Sequence, residues 1–227
     1  MGTRFRLFMV FAGAMFVVAV FTYPIWRPAP VEDRDITEFA GISAELQADF
    51  QRLEESIQQD YLAMRLEDDD MAKQLLIARL TSPEVLPPEQ QALPPVEGAV
   101  IIGEGQFGPL QLAQDDERML PPFSELYGSA GALTIYQFVD GRRLLYIENL
   151  NIINGPNLWV SLSLSPNPLT SDDFGREDID LGPSLAASGS MSYEVPDVPR
   201  GLEISDYYSV IIYERDYGII FSVASIK

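Results

Sequence analysis

The segment DGRRLLYIENLNIINGPNLWVSLSLS, residues 140–165, decides the fold. Its second half alternates strictly between two faces. The aliphatic face carries Leu158, Val160, Leu162 and Leu164, and the other face carries Trp159, Ser161 and Ser163. A period of two predicts a strand with one buried face. Asp140-Gly141 precedes the first apolar run and predicts a two-residue hairpin turn with positive φ angles. We therefore expect an antiparallel β-domain around this segment.

Short β-branched or aromatic runs continue from Gly98 to Lys227, separated by Gly, Pro and Asn. The predicted strands cover 99–103, 106–112, 131–139, 142–149, 150–154, 157–164, 179–182, 190–194, 207–214 and 219–225. Short strands at regular spacing, with no helical pattern between them, predict an all-β antiparallel sandwich or barrel. The last two runs are apolar on both faces, which predicts a hairpin at the centre of a sheet.

The composition excludes several classes of chemistry. The chain has 227 residues, no cysteine and no histidine. A thiolate nucleophile, a Ser-His-Asp triad and an imidazole metal site are therefore impossible. The net charge of −19 disfavours binding to nucleic acid or to an anionic lipid surface, since both need positive patches. It favours solubility and cationic partners.

The N-terminal region has the features of a membrane anchor. Residues from Leu7 to Trp26 are uncharged and almost wholly apolar, and twenty residues of helix span about 30 Å, the thickness of the hydrocarbon core. Arg4 and Arg6 precede this block, which predicts a cytoplasmic N-terminus and an extracytoplasmic remainder. A cleaved signal peptide is the alternative. We predict an uncleaved signal anchor over residues 1–27, with a single transmembrane helix at 7–26 of the cell membrane.

An acidic segment, residues 28–81, follows the anchor and repeats apolar residues in steps of three and four. These are Ile36, Phe39, Ile42, Leu46, Phe50, Leu53, Ile57, Tyr61 and Met64. The spacing predicts one amphipathic helix that begins after Asp35, and a shorter helix after the acidic run 67–70. The apolar stripe must pack on the second helix, on the β-domain, or on a partner helix in a homo-oligomer formed through 35–80.

A proline-rich segment, residues 82–97, separates the helical segment from the β-domain at 98–227. It holds five prolines and has no apolar periodicity. Such a composition predicts an extended, semi-rigid spacer of roughly 3 Å per residue.

The β-domain carries a series of motifs in a characteristic order. They are Gly105 with Phe107, the strand 131–136, Asp140-Gly141, the break 154–158, the tripeptide 180–182, Gly189 with Tyr193 and Pro196, and the closing strand 207–212 with its partner at Phe221 and Ala224. This order resembles the DM-thirteen domain family, a β-rich extracellular module. The resemblance covers residues 98–227 and implies the fold of that family.

The resemblance also implies a function, electron transfer. This sequence lacks the residues through which the family is proposed to perform it. The family is proposed to act in electron transfer through a cysteine that follows a tryptophan on the closing strand. Tyr213 and Glu214 stand at these two positions, and the histidine expected shortly before Gly131 is missing. A haem or thiol-redox role would have only methionine or tyrosine as ligands.

Four acids in one loop region form a candidate metal site. Asp172, Asp173, Asp178 and Asp180 supply hard oxygen ligands, so calcium is the one cofactor that the sequence suggests. A solvated acidic surface is the alternative. We predict no catalytic residues, because exposed carboxylates keep ordinary pKa values and are poor acids at neutral pH.

Three further positions have alternative interpretations. Trp159, opposite the aliphatic face, either packs under a second layer or offers a surface for binding a sugar or a partner. Glu214 is interpreted as a solvated glutamate that caps a turn. Gly103 and Gly105 lack the Lys-Ser/Thr ending of a phosphate loop and are interpreted as turn glycines.

Together these observations predict a membrane-anchored extracytoplasmic module that binds or assembles with an envelope protein and is not an enzyme. The alternative is an accessory electron-transfer domain that acts with the cofactor of a partner.

Overall fold

A computed structural model describes residues 38–81, 86–112, 116–175 and 177–227. The residues from Phe39 to Lys227 form one compact unit. The predicted membrane span, residues 7–26, and Asp35 lie outside the described residues. Within the described ranges, no helix is both long and apolar enough to cross a membrane.

The helical segment contains three helices followed by a single turn. They are α1 (Ala44–Phe50), α2 (Glu55–Glu67), α3 (Asp69–Leu80) and α4 (Pro88–Gln91). The prediction of one helix through residue 64 is wrong. Ser43 caps α1 by accepting a hydrogen bond from the Leu46 amide at 3.3 Å, so the helix begins there. The Gln58 side chain donates to the Leu53 carbonyl at 2.7 Å, which satisfies a backbone group in the break between α1 and α2.

The acidic run 67–70 forms the junction between α2 and α3. The Asp68 carboxylate caps α3 by accepting a hydrogen bond from the Met71 amide at 2.9 Å. Asp69 forms an ion pair with Arg65 one turn earlier. These contacts place the helix boundary where it was predicted. Acids in the first turn of a helix also interact favourably with its dipole.

Eight antiparallel strands form two four-stranded sheets. The strands are β1 (Val100–Phe107), β2 (Ser129–Gln137), β3 (Arg143–Ile152), β4 (Leu158–Ser163), β5 (Ile179–Pro183), β6 (Ser188–Val195), β7 (Ser209–Glu214) and β8 (Ile219–Ser225). Sheet A has the order β1-β2-β3-β6, and sheet B has the order β5-β4-β7-β8. The two sheets confirm the predicted all-β sandwich.

The predicted strands 99–103 and 106–112 both overlap the single strand β1, and a second predicted pair is also continuous. The segments 142–149 and 150–154 are both part of β3, which is irregular where it passes from Ile147 to Leu150 opposite β6. Asn149 has a φ of 51° in this bulge, and its amide donates to the Ser190 hydroxyl at 3.0 Å. The polar residues at the bulge interrupt the alternation of the sequence without ending the strand.

The hairpin between β2 and β3 differs from its prediction by one residue. The Phe138 amide bonds the Arg142 carbonyl at 2.9 Å, so the loop has three residues, 139–141. Only Gly141 has a positive φ, at 89°. This is the pattern of a type I turn followed by a left-handed residue, which is the usual three-residue hairpin.

The C-terminal hairpin is at one side of sheet B and not at its centre. Strand β8 is the edge strand of this sheet, and β1 of sheet A lies against it. The amide of each residue in the pair Glu104 and Lys227 donates to the carbonyl of the other, at 3.2 and 2.9 Å. The free edge of β8 is therefore partly covered, as at a barrel corner.

The glycines of β1 are needed for this close approach. A Cβ at Gly105 would lie 2.6 Å from the Ser225 carbonyl oxygen, and one at Gly103 would lie 2.7 Å from Ile226. Their interpretation as turn glycines is therefore wrong. They lie inside one strand, where Gly105 leaves room for the neighbouring backbone and Gly103 for the Ile226 side chain.

The helices and the sandwich share one hydrophobic core. Phe50, Tyr61 and Leu75 are at most 1% exposed and belong to the same apolar cluster as Leu145 and Ile212 of the two sheets. The Arg79 guanidinium donates to the Leu126 carbonyl at 3.0 Å, at the end of α3. The apolar stripe of the helices is therefore buried within the same chain, by packing of the helices on one another and on the β-domain.

The described part of the proline-rich segment lies against sheet A. The Tyr146 hydroxyl donates to the Gln91 carbonyl at 3.0 Å, and the Ser190 amide donates to the Gln91 side chain at 3.3 Å. Leu86 is buried in the common core. Residues 86–97 thus cover part of the sandwich, whereas an extended spacer was predicted. Gln91, through its carbonyl and its side chain, and the buried Leu86 hold this segment against sheet A.

Candidate functional site

Glu214 lies at the end of β7, where the resemblance to the DM-thirteen family implies a cysteine. The side chain is fully buried, which contradicts the prediction of a solvated glutamate. One carboxylate oxygen accepts the Tyr217 amide at 2.7 Å, so the predicted turn-capping role is present. The other oxygen has no hydrogen-bond partner among the described residues. Burial raises the pKa of Glu214 above its ordinary value.

A second orphaned polar atom, the Tyr127 hydroxyl, belongs to the same buried region. Tyr127 is 3% exposed, and its ring stacks on Phe221 with 4.2 Å between centroids. Burial raises the pKa of Tyr127, and the charges of Tyr61 and Glu214 add to this effect. Its hydroxyl has no hydrogen-bond partner among the described residues. Buried and unpaired polar atoms destabilise a fold and often indicate a functional constraint.

Tyr61 and Arg79 complete this polar cluster beneath the helices. Burial raises the pKa of Tyr61, while a hydrogen bond and the charge of Arg79 act in the opposite direction. The Arg79 guanidinium lies 5.9 Å from the centre of the Tyr61 ring. We use the term "buried polar cluster" for Glu214, Tyr127, Tyr61 and Arg79. Only Arg79 carries a positive charge in it.

A cavity of about 220 Å³ lies between the helices and the sandwich, next to this cluster. Met64 and Met71 form its helical side. Phe123 and the ring of Tyr127 come from the segment before β2, and Ile219 and Ile220 come from β8. The lining is mainly apolar, and Glu67 is the one charged residue among the described residues that form it.

The four acids of the calcium hypothesis do not come together. The Asp178 carboxylate accepts hydrogen bonds from the Ser163 hydroxyl and from the amides of Leu164 and Gly175, at 2.9 to 3.2 Å. Asp173 accepts the amides of Leu169 and Thr170. Each of these two carboxylates therefore stabilises a turn.

The other two acids of the hypothesis are exposed. Asp172 lies in the middle of a short 3₁₀ helix, and Asp180 accepts a hydrogen bond from the Tyr213 hydroxyl at 2.9 Å. The described residues contain no group of three or more acidic side chains placed to hold a metal ion. The clustering of the four acids in sequence suggested ligands, whereas the turns use carboxylate oxygens of Asp173 and Asp178 as hydrogen-bond acceptors.

Trp159 is half-buried and has the contacts of a packed residue. Its indole N–H donates to the Asn157 side chain at 2.9 Å. The Arg215 guanidinium lies 3.8 Å from the centre of the indole ring and covers it. Trp159 packs against a second apolar cluster that includes Ile211 and Tyr213. These contacts correspond to packing under a second layer, the first of the two alternatives.

Tyr213, at the position of the family's tryptophan, also belongs to this second cluster. Its ring contacts Phe174 with 5.0 Å between centroids. Burial and the hydrogen bond to Asp180 raise the pKa of Tyr213 to about 12. Tyr213 and Glu214 point to opposite faces of β7, since successive residues of a strand alternate. The two residues therefore act in different environments.

Comparison with known families supports the resemblance. Residues 124–226 match the family model described as "Electron transfer DM13", which is the DM-thirteen family. This range runs from the 3₁₀ turn before β2 to the end of β8 and contains both Tyr213 and Glu214. It leaves out β1 and the helices. No curated protein and no solved structure matches the chain.

The residues at the matched positions do not fit a thiol-based electron carrier. The chain has no cysteine and no histidine, and Glu214 holds its carboxylate on the Tyr217 amide. Sequence reasoning identified Glu214 but missed Tyr127, Met64 and Met71. The DM-thirteen resemblance implies a histidine shortly before Gly131, and this chain has none there. That expected position was the one feature of the sequence that drew attention to the region of Tyr127.

Proposed function

We propose, starting from the DM13 domain at residues 124–226, that this chain is a non-enzymatic binding module displayed outside the cell membrane. The buried Glu214 carries this proposal, because it replaces the family's reactive atom with a group that caps a turn. The chain thus has the β-sandwich and a cavity between the sandwich and the helices, but it lacks the cysteine that the family is proposed to use. The partner would be an envelope protein, and residues 7–26 would anchor the module.

The first experiment measures whether the chain has a redox activity of its own. Purified full-length protein in neutral detergent is examined by voltammetry, together with the variant Glu214→Cys. We expect no reversible wave from the natural chain, and a thiol that reacts with alkylating reagents only in unfolded Glu214→Cys, because position 214 is buried. A reversible wave from the natural chain would contradict the proposal.

The second experiment looks for the partner. Tagged full-length protein is recovered from its own membrane extract, and a chain truncated after residue 37 serves as the control for anchor-driven association. We expect an envelope protein that is retained by the full chain and absent from the control. Equal recovery of all proteins by both baits would contradict a specific binding role.

A second candidate function is an accessory electron-transfer domain that works with a partner's cofactor. The family match favours it, because the matched range includes the positions of the family's tryptophan and cysteine. The test compares the rate at which membranes reduce an added dye with and without this chain. A rate that depends on the chain, and that Glu214→Gln changes, would favour this candidate over the first.

A further inference from the structure

The cavity beside the buried polar cluster is small and apolar. Its volume of about 220 Å³ is below the range of about 300–1,000 Å³ that is typical for drug-sized ligands. It therefore suits one ring or one short aliphatic chain. Met64 and Met71 contribute unbranched, polarisable side chains that adapt to the shape of a ligand.

Two aromatic residues line the same cavity. The ring of Tyr127 is held by its stacking on Phe221, and Phe123 precedes the 3₁₀ turn that leads to β2. Phe123 has a φ of 61°, in the left-handed region that an aromatic residue rarely adopts. Strained backbone of this kind is common at ligand-binding positions. Aromatic faces attract cations.

Acidic residues surround one side of the cavity. Glu67 lines it, and Asp68 and Asp70 follow at the junction of α2 and α3. The charge of Asp68, after burial, is the largest cause of the raised pKa of Tyr217, which precedes the lining residue Gly218. The two helix ends and the β7–β8 turn therefore place these acids together near the cavity.

Two arginines lie near this site, and the one on the cluster side, Arg79, donates to the Leu126 carbonyl. Arg65, on the last turn of α2, pairs with Asp69 and lies 5.1 Å from the centre of the Phe39 ring. No lysine or arginine is among the described residues that line the cavity. The potential at its rim is therefore negative, and such a rim attracts cations.

We propose that this cavity binds a small organic cation, one aromatic ring or short aliphatic chain that carries a single ammonium group. The apolar part occupies the space between Met64, Met71 and Phe123, and the ammonium group faces Glu67. The proposal rests on the proposed function of the chain as a binding module and names the chemistry of one ligand site in it.

The test uses three probes of similar shape and different charge. They are 2-phenylethylammonium, 2-phenylethanol and 3-phenylpropanoate, and binding to the full-length protein is measured by ligand-observed NMR. We expect the cation to bind about threefold or more tightly than the alcohol, with the anion weakest. Higher salt should reduce this preference, because exposed charges are screened.

Two variants locate the binding site. Glu67→Gln removes one exposed charge at the cavity and should abolish most of the preference for the cation. Glu148→Gln removes one exposed charge on sheet A and should leave the preference unchanged. Met71→Trp fills the cavity and should remove binding of all three probes, while a normal circular dichroism spectrum shows that the variant is folded.

Several outcomes would overturn the proposal. They are equal affinity for the three probes, no binding of any probe, and binding that Met71→Trp leaves unchanged in a folded protein. Recovery of a specific envelope partner by a chain that binds none of the probes would overturn this inference and leave the proposed function in place.

Discussion

Glu214 is placed where a charged carboxylate is unfavourable. One of its oxygens accepts the Tyr217 amide, and the other is buried without a partner. Burial raises its pKa above the ordinary 4.5, so the native state holds this proton more tightly than the unfolded state. Its contribution to stability is therefore fully present below pH 4.5 and is lost as the pH rises through the native pKa.

We expect Glu214→Gln to stabilise the protein at pH 8 and to have little effect at pH 4. The amide oxygen can still accept the Tyr217 amide, and no charge needs to be buried. The gain should be about 1 kcal/mol, because an unsatisfied buried charge costs more than an unsatisfied neutral polar group. Urea unfolding at the two pH values measures it, with the exposed Glu148→Gln as the control. An equal effect at both pH values would mean that ionisation of Glu214 is not the cause.

Gly105 shows how one missing methyl group permits the contact between β1 and β8. We expect Gly105→Ala to lower the free energy of unfolding by about 1–3 kcal/mol, because its Cβ would lie 2.6 Å from the Ser225 carbonyl. Gly175→Ala is the control, since nothing lies within 4 Å of a Cβ there. Thermal unfolding compares the two. If both variants lose the same stability, the close contact is not the reason.

At the scale of elements, the helices are part of the core of the sandwich. We expect Leu75→Ala in α3 to cost about 2–5 kcal/mol, the usual effect of a cavity in a core. The loss should appear in one cooperative transition, followed both by far-ultraviolet circular dichroism and by the fluorescence of Trp159. Leu66→Ala, at a position 90% exposed, should change stability by less than about 0.5 kcal/mol. Separate transitions for helices and strands would show that they unfold independently.

The elements also show what the sequence alone can predict. Alternation identified β4, β7 and β8, and the apolar stripe identified the buried faces of α1 and α2. The break at 51–54 and the bulge in β3 were missed. Each is accompanied by a hydrogen bond between a polar side chain and a backbone group, and the periodicity of the sequence gives no sign of such a bond. The position of β8 at an edge follows from the order β4-β7-β8, because β7 pairs with β4 on its other side and these strands are far apart in sequence.

The candidate site was less predictable than the fold. Glu214 could be singled out from the family resemblance, but its burial follows from the turn after β7 and from packing that local sequence does not encode. The cavity depends on Met64 and Met71 of the helices meeting Phe123 and Ile220 of the sandwich. The four acids cluster in sequence, yet Asp173 and Asp178 accept hydrogen bonds from backbone amides. A cluster of acids in a sequence does not distinguish this role from metal binding.

At the scale of the whole molecule, the anchor remains a prediction from residues 7–26. We expect the full-length protein to stay in the membrane fraction after extraction at alkaline pH, and a chain that lacks residues 1–27 to be recovered in the soluble fraction. Protease added to the extracytoplasmic side should cleave the full-length chain in sealed vesicles of the matching orientation. Release of the full-length protein by alkali alone would contradict a transmembrane anchor.

The irregular pairing at Ile102 has a consequence for how copies of the protein behave in concentrated solution. Val100 and Ile101 are 60% and 54% exposed on a strand whose outer edge is unpaired there within the described residues. The extra residue between Ile101 and Gly103 bends this edge, so that a second copy cannot continue the sheet in register. Removing Ile102 would straighten the strand, and the same apolar residues would then favour fibrous self-association.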